Sequence, residues 1–335
     1  MKKILLSALV FVASTFAAHA VEGELPGRFT INAEGDTVHF SRGNLQYDAT
    51  TQKWSFAASQ YMEGAGLTYF CWGTSGWNSG ANEYQPYSIS TEPSDYFVGG
   101  SAENDLTGDY AYADWGIYNP IENGGNRAGL WRVLTHDEWI YLFELRPDAG
   151  KLFAYATINN GDAYKGVVLL PDNWVLPEGA HFKPSTECYL DYEAGSGYRN
   201  MNLDMNTNYN DNVYTSEQWA VMDAAGAVFF PACGYAKGTE VFAKNTSGRY
   251  ASSTARNAYT AYALTFDNKE LFASDGGANR GHGISVRLVT NEGAGQGIDN
   301  INHKSETINH KFIKDGQVLL LMDGKQLNIL GAEVK

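Results

Sequence analysis

From Gly64 to Gly125 the chain is rich in glycine, asparagine, serine and tyrosine. These residues form turns and tolerate unusual backbone angles, so this stretch leaves little room for long regular elements. Long ordered loops in a compact domain are usually functional or held by contacts. The chain is nevertheless no disordered polymer. Charged residues make up 19% and apolar residues 44%, enough to bury a core. Aromatics reach 13%, and most of them are expected inside, because rings bury large areas. The remainder are expected as exposed Tyr and Trp on loops.

Around this loop region, short strand-like runs dominate. Phe29–Asn32 and Thr37–Phe40 flank Glu34-Gly35-Asp36, a hairpin turn signal. Asn44–Tyr47 and Trp54–Phe56 form a second alternating pair. Two helices are marked by capping boxes, in which an N-cap hydroxyl and the side chain three residues on each satisfy a free backbone N–H. Thr135 and Glu138 open the first. Trp139, Leu142 and Phe143 then share one face, Arg146 suits the C-terminal end of the dipole, and Pro147 ends the helix. Thr215 and Gln218 open the second, with Trp219 and Met222 on one face and Gly226 as the residue past its end. Strands are expected at Val167–Leu170, Ala227–Phe230, Tyr259–Phe266, Leu271–Ser274 and Ile284–Val289, with Asp275–Gly281 as a glycine-rich loop. The fold class is therefore α+β, with short antiparallel strands and extensive ordered loops. No internal repeat points to a solenoid or propeller.

The two ends read differently from the body. Met1-Lys2-Lys3, an apolar run from Ile4 to Phe16 and the small-x-small site Ala18-His19-Ala20 form a secretory signal peptide, residues 1–20. The apolar run is too short to span a bilayer as a helix, and no other run approaches the length needed, so membrane insertion is not expected. The body spans 21–291 as one domain, since no charge run or Pro/Ser linker divides it. A linker, 292–310, leads to a tail, 311–335, whose Asp323-Gly324 suits a type I′ hairpin turn. The leader carries two lysines and no acids, so its removal takes the formal charge from −14 to −16. That balance argues against nucleic acid and against adsorption to anionic lipid. It favours neutral polar partners such as glycans, or cations. Cys71, Cys188 and Cys233 allow one disulfide in an oxidising compartment, or equally remain buried as small hydrophobes.

Several stretches resemble a known family. Trp131-Arg132-Val133-Leu134-Thr135-His136-Asp137-Glu138-Trp139-Ile140-Tyr141 is similar to a stretch of formylglycine-generating-enzyme-like domains, a branch of the C-type-lectin fold. Phe40–Tyr47, Asp114-Trp115-Gly116, Leu169–Trp174, Phe230–Tyr235, Gly248–Thr254 and Gly283–Val289 resemble their secreted Bacteroidetes relatives, the Fibrobacter succinogenes major paralogous domains. The resemblance covers roughly residues 29 to 290. It implies a C-type-lectin-like fold. Catalytic members of the branch depend on a copper-binding cysteine pair near the end of the domain, and no cysteine follows Cys233 here. The tail, Asp315 to Lys335, is similar to the C-terminal pattern of proteins exported by type IX secretion, with Leu327 and Ala332 in place of the usual Tyr and Gln. That likeness implies the secretion machinery as a partner and an extracellular or outer-surface location. An ordinary terminal hairpin is the alternative.

Chemistry is poorly signalled. His39, His136, His181, His282, His303 and His310 show no i, i+4 pair of a helical zinc site. Arg287 lies in an apolar strand and needs an acceptor, for which Glu138 is one candidate. Asp191 and Glu193 are close in sequence, yet glycoside cleavage needs a defined separation across a cleft. Calcium is the one cofactor that the loops suggest. Asn200–Asn206 and Asn208–Asn212 present many hard oxygens, although no EF-hand spacing occurs and Asn-rich turns form without metal. The expected function is a non-catalytic module that binds a glycan or a surface protein. The alternatives are a glycan-acting or divergent copper enzyme, and a structural surface or fimbria-associated component. By analogy with the fold, late loops carry the ligand face, through Tyr250, Tyr259, Tyr262, Asp275, Asn279 and Arg280.

Overall fold

Strands β1 (Phe29–Thr30) and β2 (Thr37–Phe40) pair antiparallel as their turn signal predicts, Phe29 opposite Val38. β3 (Leu45–Asp48) and β4 (Lys53–Phe56) form the second expected hairpin, with Tyr47 against Trp54. The computed structural model describes residues 21–185, 203–204, 207–291, 310–314, 317–322 and 325–328. The leader, Cys188, Asp191, Glu193 and the Asp323-Gly324 turn lie outside them.

Both predicted capping boxes form. Thr135 and Glu138 exchange bonds at the start of α2 (His136–Ile140), and Thr215 and Gln218 at the start of α3 (Ser216–Ala224). Each satisfies two of the donors that a helix start leaves free. A shorter helix, α1 (Trp115–Tyr118), is capped by the Asp114 carboxylate, which accepts from the Gly116 N–H. After Ile140 the chain widens into a π turn over Tyr141–Leu145. Arg146 then donates from Nε to the Leu142 carbonyl at 2.7 Å, four residues back, so it closes the turn directly. Gly226, at φ 96°, takes the left-handed position after α3, with its N–H on the Asp223 carbonyl.

Two four-stranded sheets dominate. The first has the order β8 (Val213–Thr215), β5 (Phe153–Asn160), β6 (Asp162–Leu169), β9 (Val228–Pro231), antiparallel except between β5 and β8. The second has the order β12 (Gly248–Ala255), β13 (Thr260–Phe266), β14 (Glu270–Asn279), β7 (Leu203–Asp204). Here a prediction needs correction: Asp275–Asn279 is no loop but the end of β14, bulged against β13. β10 (Tyr235–Lys237), β11 (Glu240–Phe242) and β15 (His282–Gly283) form a small sheet. Ile284–Leu288 runs as extended chain with isolated bridges, and β16 (Val289–Asn291) returns to pair with β2. Both ends of the body thus meet in one sheet, β1-β2-β16.

The core is aromatic. Phe40, Trp139, Phe143, Phe153, Phe230, Tyr250 and Phe266 are all buried in one cluster, and Phe230 packs edge-on to Phe40, Trp139 and Tyr250 at 5.1–5.7 Å. The result is an α+β fold, mostly sheet with few helices. Residues 20–292 form one compact unit. In the tail, β17 (His310–Lys314), β18 (Gln317–Met322) and β19 (Lys325–Asn328) form a three-stranded antiparallel sheet, one strand more than the expected hairpin. Met322 pairs with Lys325.

Candidate functional site

The glycine- and tyrosine-rich loops are tied down by one small residue. Ser75 is buried, and three segments converge on it. Its hydroxyl donates to the Tyr112 carbonyl at 2.7 Å and accepts from the Trp77 N–H at 3.3 Å, and its carbonyl accepts from the Asn119 side chain at 2.9 Å. Asn119 also donates to the Trp115 carbonyl, closing α1. α1 itself is anchored from below, since Asp114 accepts from Gly116 and Val133 at 2.9 and 2.7 Å. Each bond satisfies a buried polar group, so the loops are ordered without regular structure.

This hub sets three rings side by side at the surface. Trp77 and Tyr112 lie 5.9 Å apart at 62°, and Tyr112 and Tyr118 lie 6.0 Å apart at 66°. Tyr112 is 55% exposed and Tyr118 40%, while Trp77 is half-buried. Large rings are normally buried, so a contiguous exposed set is informative. Neither the Trp77 indole N–H nor the two phenol groups is hydrogen-bonded to a described residue. The array therefore offers apolar faces rimmed by free donors. Such a surface can hold a ligand that is apolar on one side and hydroxylated at its edge.

The six residues expected at the ligand face fare differently. β13 and β14 do bring Tyr259, Tyr262, Asp275, Asn279 and Arg280 near one another, with Thr260 opposite Asn279 and Ala263 opposite Asp275. Tyr259 is 69% exposed and stands free. Tyr262 is half-buried with its ring 3.9 Å from that of His136. Asp275 accepts from Thr265 and Gly277, and Asn279 from Gly281. Two expectations are overturned. Tyr250 is wholly buried, and its hydroxyl donates to the Pro231 carbonyl at 2.7 Å. Arg280 is buried too, its guanidinium 4.2 Å over the Trp72 ring and bonded to the carbonyls of Asn257 and Ala102. Both are structural: Tyr250 spends its hydroxyl, and Arg280 its Nε and Nη2, on backbone carbonyls that they hold in place, while Arg280 Nη1 has no hydrogen-bonded partner among the described residues.

Arg287 is corrected as well. Glu138 pairs with Arg132 at 2.7 and 2.8 Å, whereas Arg287 donates to Asn44 at 3.2 Å and to Gln60 at 2.6 Å. Burial lowers the Arg287 guanidinium to about 10. Cys71 and Cys233 are free and buried, so no disulfide joins them. Burial pushes the Cys71 thiol up to about 11 and the Cys233 thiol to about 12, against the thiolate form that metal binding or redox chemistry needs. In the Asn208–Asn212 loop, Asn208 accepts from the Asn210 N–H, and Asp211 accepts from the Asn208 N–H and Lys183. The loop thereby uses its own oxygens. Among the described residues no group of three His, Cys, Asp or Glu side chains stands where it could hold a metal ion, and no helix is long and apolar enough to cross a membrane.

No family model, curated protein or solved structure matches the chain.

Proposed function

We propose that this protein is an exported, non-catalytic recognition module with a C-type-lectin-like fold that binds neutral glycans through Trp77, Tyr112 and Tyr118. The observation that carries the reading is the exposed three-ring array fixed by buried Ser75. Sugar rings present apolar C–H faces that pack on aromatic faces, and their hydroxyls accept from or donate to the polar tips of Tyr and Trp. The acidic balance of the chain suits a neutral glycan better than a charged one. The C-type-lectin-like assignment is supported by the two capped helices, by the β1-β2-β16 sheet that joins the ends of the body, and by the long ordered loops. Export rests on the leader, 1–20, and on the tail, 311–335, as a sorting signal. The test is a glycan array probed with the full chain. Retention on neutral glycans supports the reading, and an array without hits contradicts it.

A further inference from the structure

Away from the ring array, α3 turns one face toward a cleft. Ser216, Trp219 and Asp223, at i, i+3 and i+7, line a polar cavity of about 400 Å³, whose other walls include Arg42, Ser59 and Gln60. That volume falls within the range of small-ligand sites. Two of its charged groups are unspent. Trp219 walls the cleft and is 2% exposed, its indole N–H being itself buried without an acceptor among the described residues. Asp223 accepts from the Gln60 amide at 2.7 Å through one carboxylate oxygen, and its second oxygen receives no hydrogen bond from a described residue. The Arg42 side chain is exposed at the rim, likewise without a hydrogen-bonded acceptor among them.

The position of Asp223 is costly on its own terms. It sits in the last turn of α3, where the helix dipole disfavours negative charge. Burial raises its carboxyl above the usual range, against the pull of Gln60, Arg287 and Arg42. Gln60 holds it in place and is itself fixed on the far side by Phe229 and Arg287. The carboxylate is therefore pre-positioned, with one face open to the cleft.

We propose that this cleft is a second ligand site, which takes a neutral molecule bearing several neighbouring hydroxyls, such as a monosaccharide or a cyclic polyol. An anion would be repelled by Asp223 and by Glu24, which also lines the cleft. An apolar ligand would bury Arg42 and Asp223 without partners, at a cost for each. A hydroxyl both donates and accepts, so a vicinal pair satisfies the carboxylate while accepting from the guanidinium. The site uses none of the residues of the ring array, so it stands or falls separately from the glycan reading given above.

The test uses the full chain labelled with ¹⁵N and titrated with glucose, galactose, mannose and myo-inositol. Binding is read from the Trp219 indole N–H resonance, assigned with Trp219→Phe. The inference expects saturable movement of that resonance by at least one probe. It expects Asp223→Asn, which keeps an oxygen for Gln60, and Arg42→Gln each to weaken that binding tenfold or more. Trp77→Ala with Tyr112→Ala should leave it within twofold while abolishing retention on polysaccharide. No saturable movement with any probe, or binding within twofold of wild type in Asp223→Asn, overturns the second site. Loss of monosaccharide binding in the Trp77/Tyr112 variant alone also overturns it, because the ligand then sits on the rings.

Discussion

Gln60 is the residue whose removal should cost the fold most for its size. It is 2% exposed and makes four bonds: its amide donates to Asp223 and to the Ala227 carbonyl at 2.7 and 2.9 Å, and its oxygen accepts from the Phe229 N–H and Arg287 at 2.8 and 2.6 Å. Gln60→Met keeps the volume, so the cavity contribution is small. It strands a backbone N–H, a backbone C=O and one N–H of a fully buried guanidinium. Each neutral orphan costs about 1–3 kcal/mol, and the charged donor costs more, which sums to about 4–7 kcal/mol. Whole domains are stable by about 5–15 kcal/mol, so this is a large share. The assay is guanidinium unfolding followed by tryptophan fluorescence. With a slope of about 4 kcal/mol per molar, the midpoint should fall by about 1 M or more. Tyr112→Ala, which truncates an exposed ring, should move it by about 0.1 M. A fall below about 0.3 M in Gln60→Met would refute the claim that Arg287 is a structural cation held by neutral partners.

Two further outcomes follow from buried titratable groups. Burial pushes Asp114 up to about 6, against about 3.9 in an unfolded chain, so between these values the folded state holds the proton more tightly. Stability from this group is full below about pH 4 and is lost as pH rises through about 6. Relative to Asp114→Asn, the wild type should lose up to about 3 kcal/mol between pH 4 and pH 7 in denaturant titrations, and parallel pH profiles would contradict this. At pH 8 the Cys71 and Cys233 thiols are ionised to about one part in 10³ and 10⁴ respectively, given their raised values. Peptide mapping after alkylation should find both unlabelled in the native protein and labelled in guanidinium; native labelling of either would show an accessible thiolate.

What was legible in the sequence was local. The capping boxes at Thr135 and Thr215 lie within three residues, so spacing alone reveals them, and the β1–β2 and β3–β4 hairpins follow from alternation around turn residues. β5 escaped notice because Phe153–Ile158 is buried throughout, which removes the alternation that marks a half-buried strand. Gly276 and Gly277 looked like loop residues, yet they lie in a bulged strand where a side chain on Gly276 would collide with Arg256. Arg287 found partners 227 and 243 residues away, which no spacing rule reaches. The ring array escaped for the same reason. Residues 77, 112 and 118 meet only because Ser75 ties their loops together, and the one hint was the abundance of Tyr and Trp in a stretch too rich in turn residues to bury them all.

The central claim is that a rigid exposed ring array recognises neutral glycan. Calorimetric titration of the wild type and of Trp77→Ala/Tyr112→Ala with the best-retained array glycan tests it most directly. The account predicts at least tenfold weaker binding in the double variant, about 1.4 kcal/mol, with the protein still folded by the same unfolding assay. Equal affinity in the two proteins would contradict it.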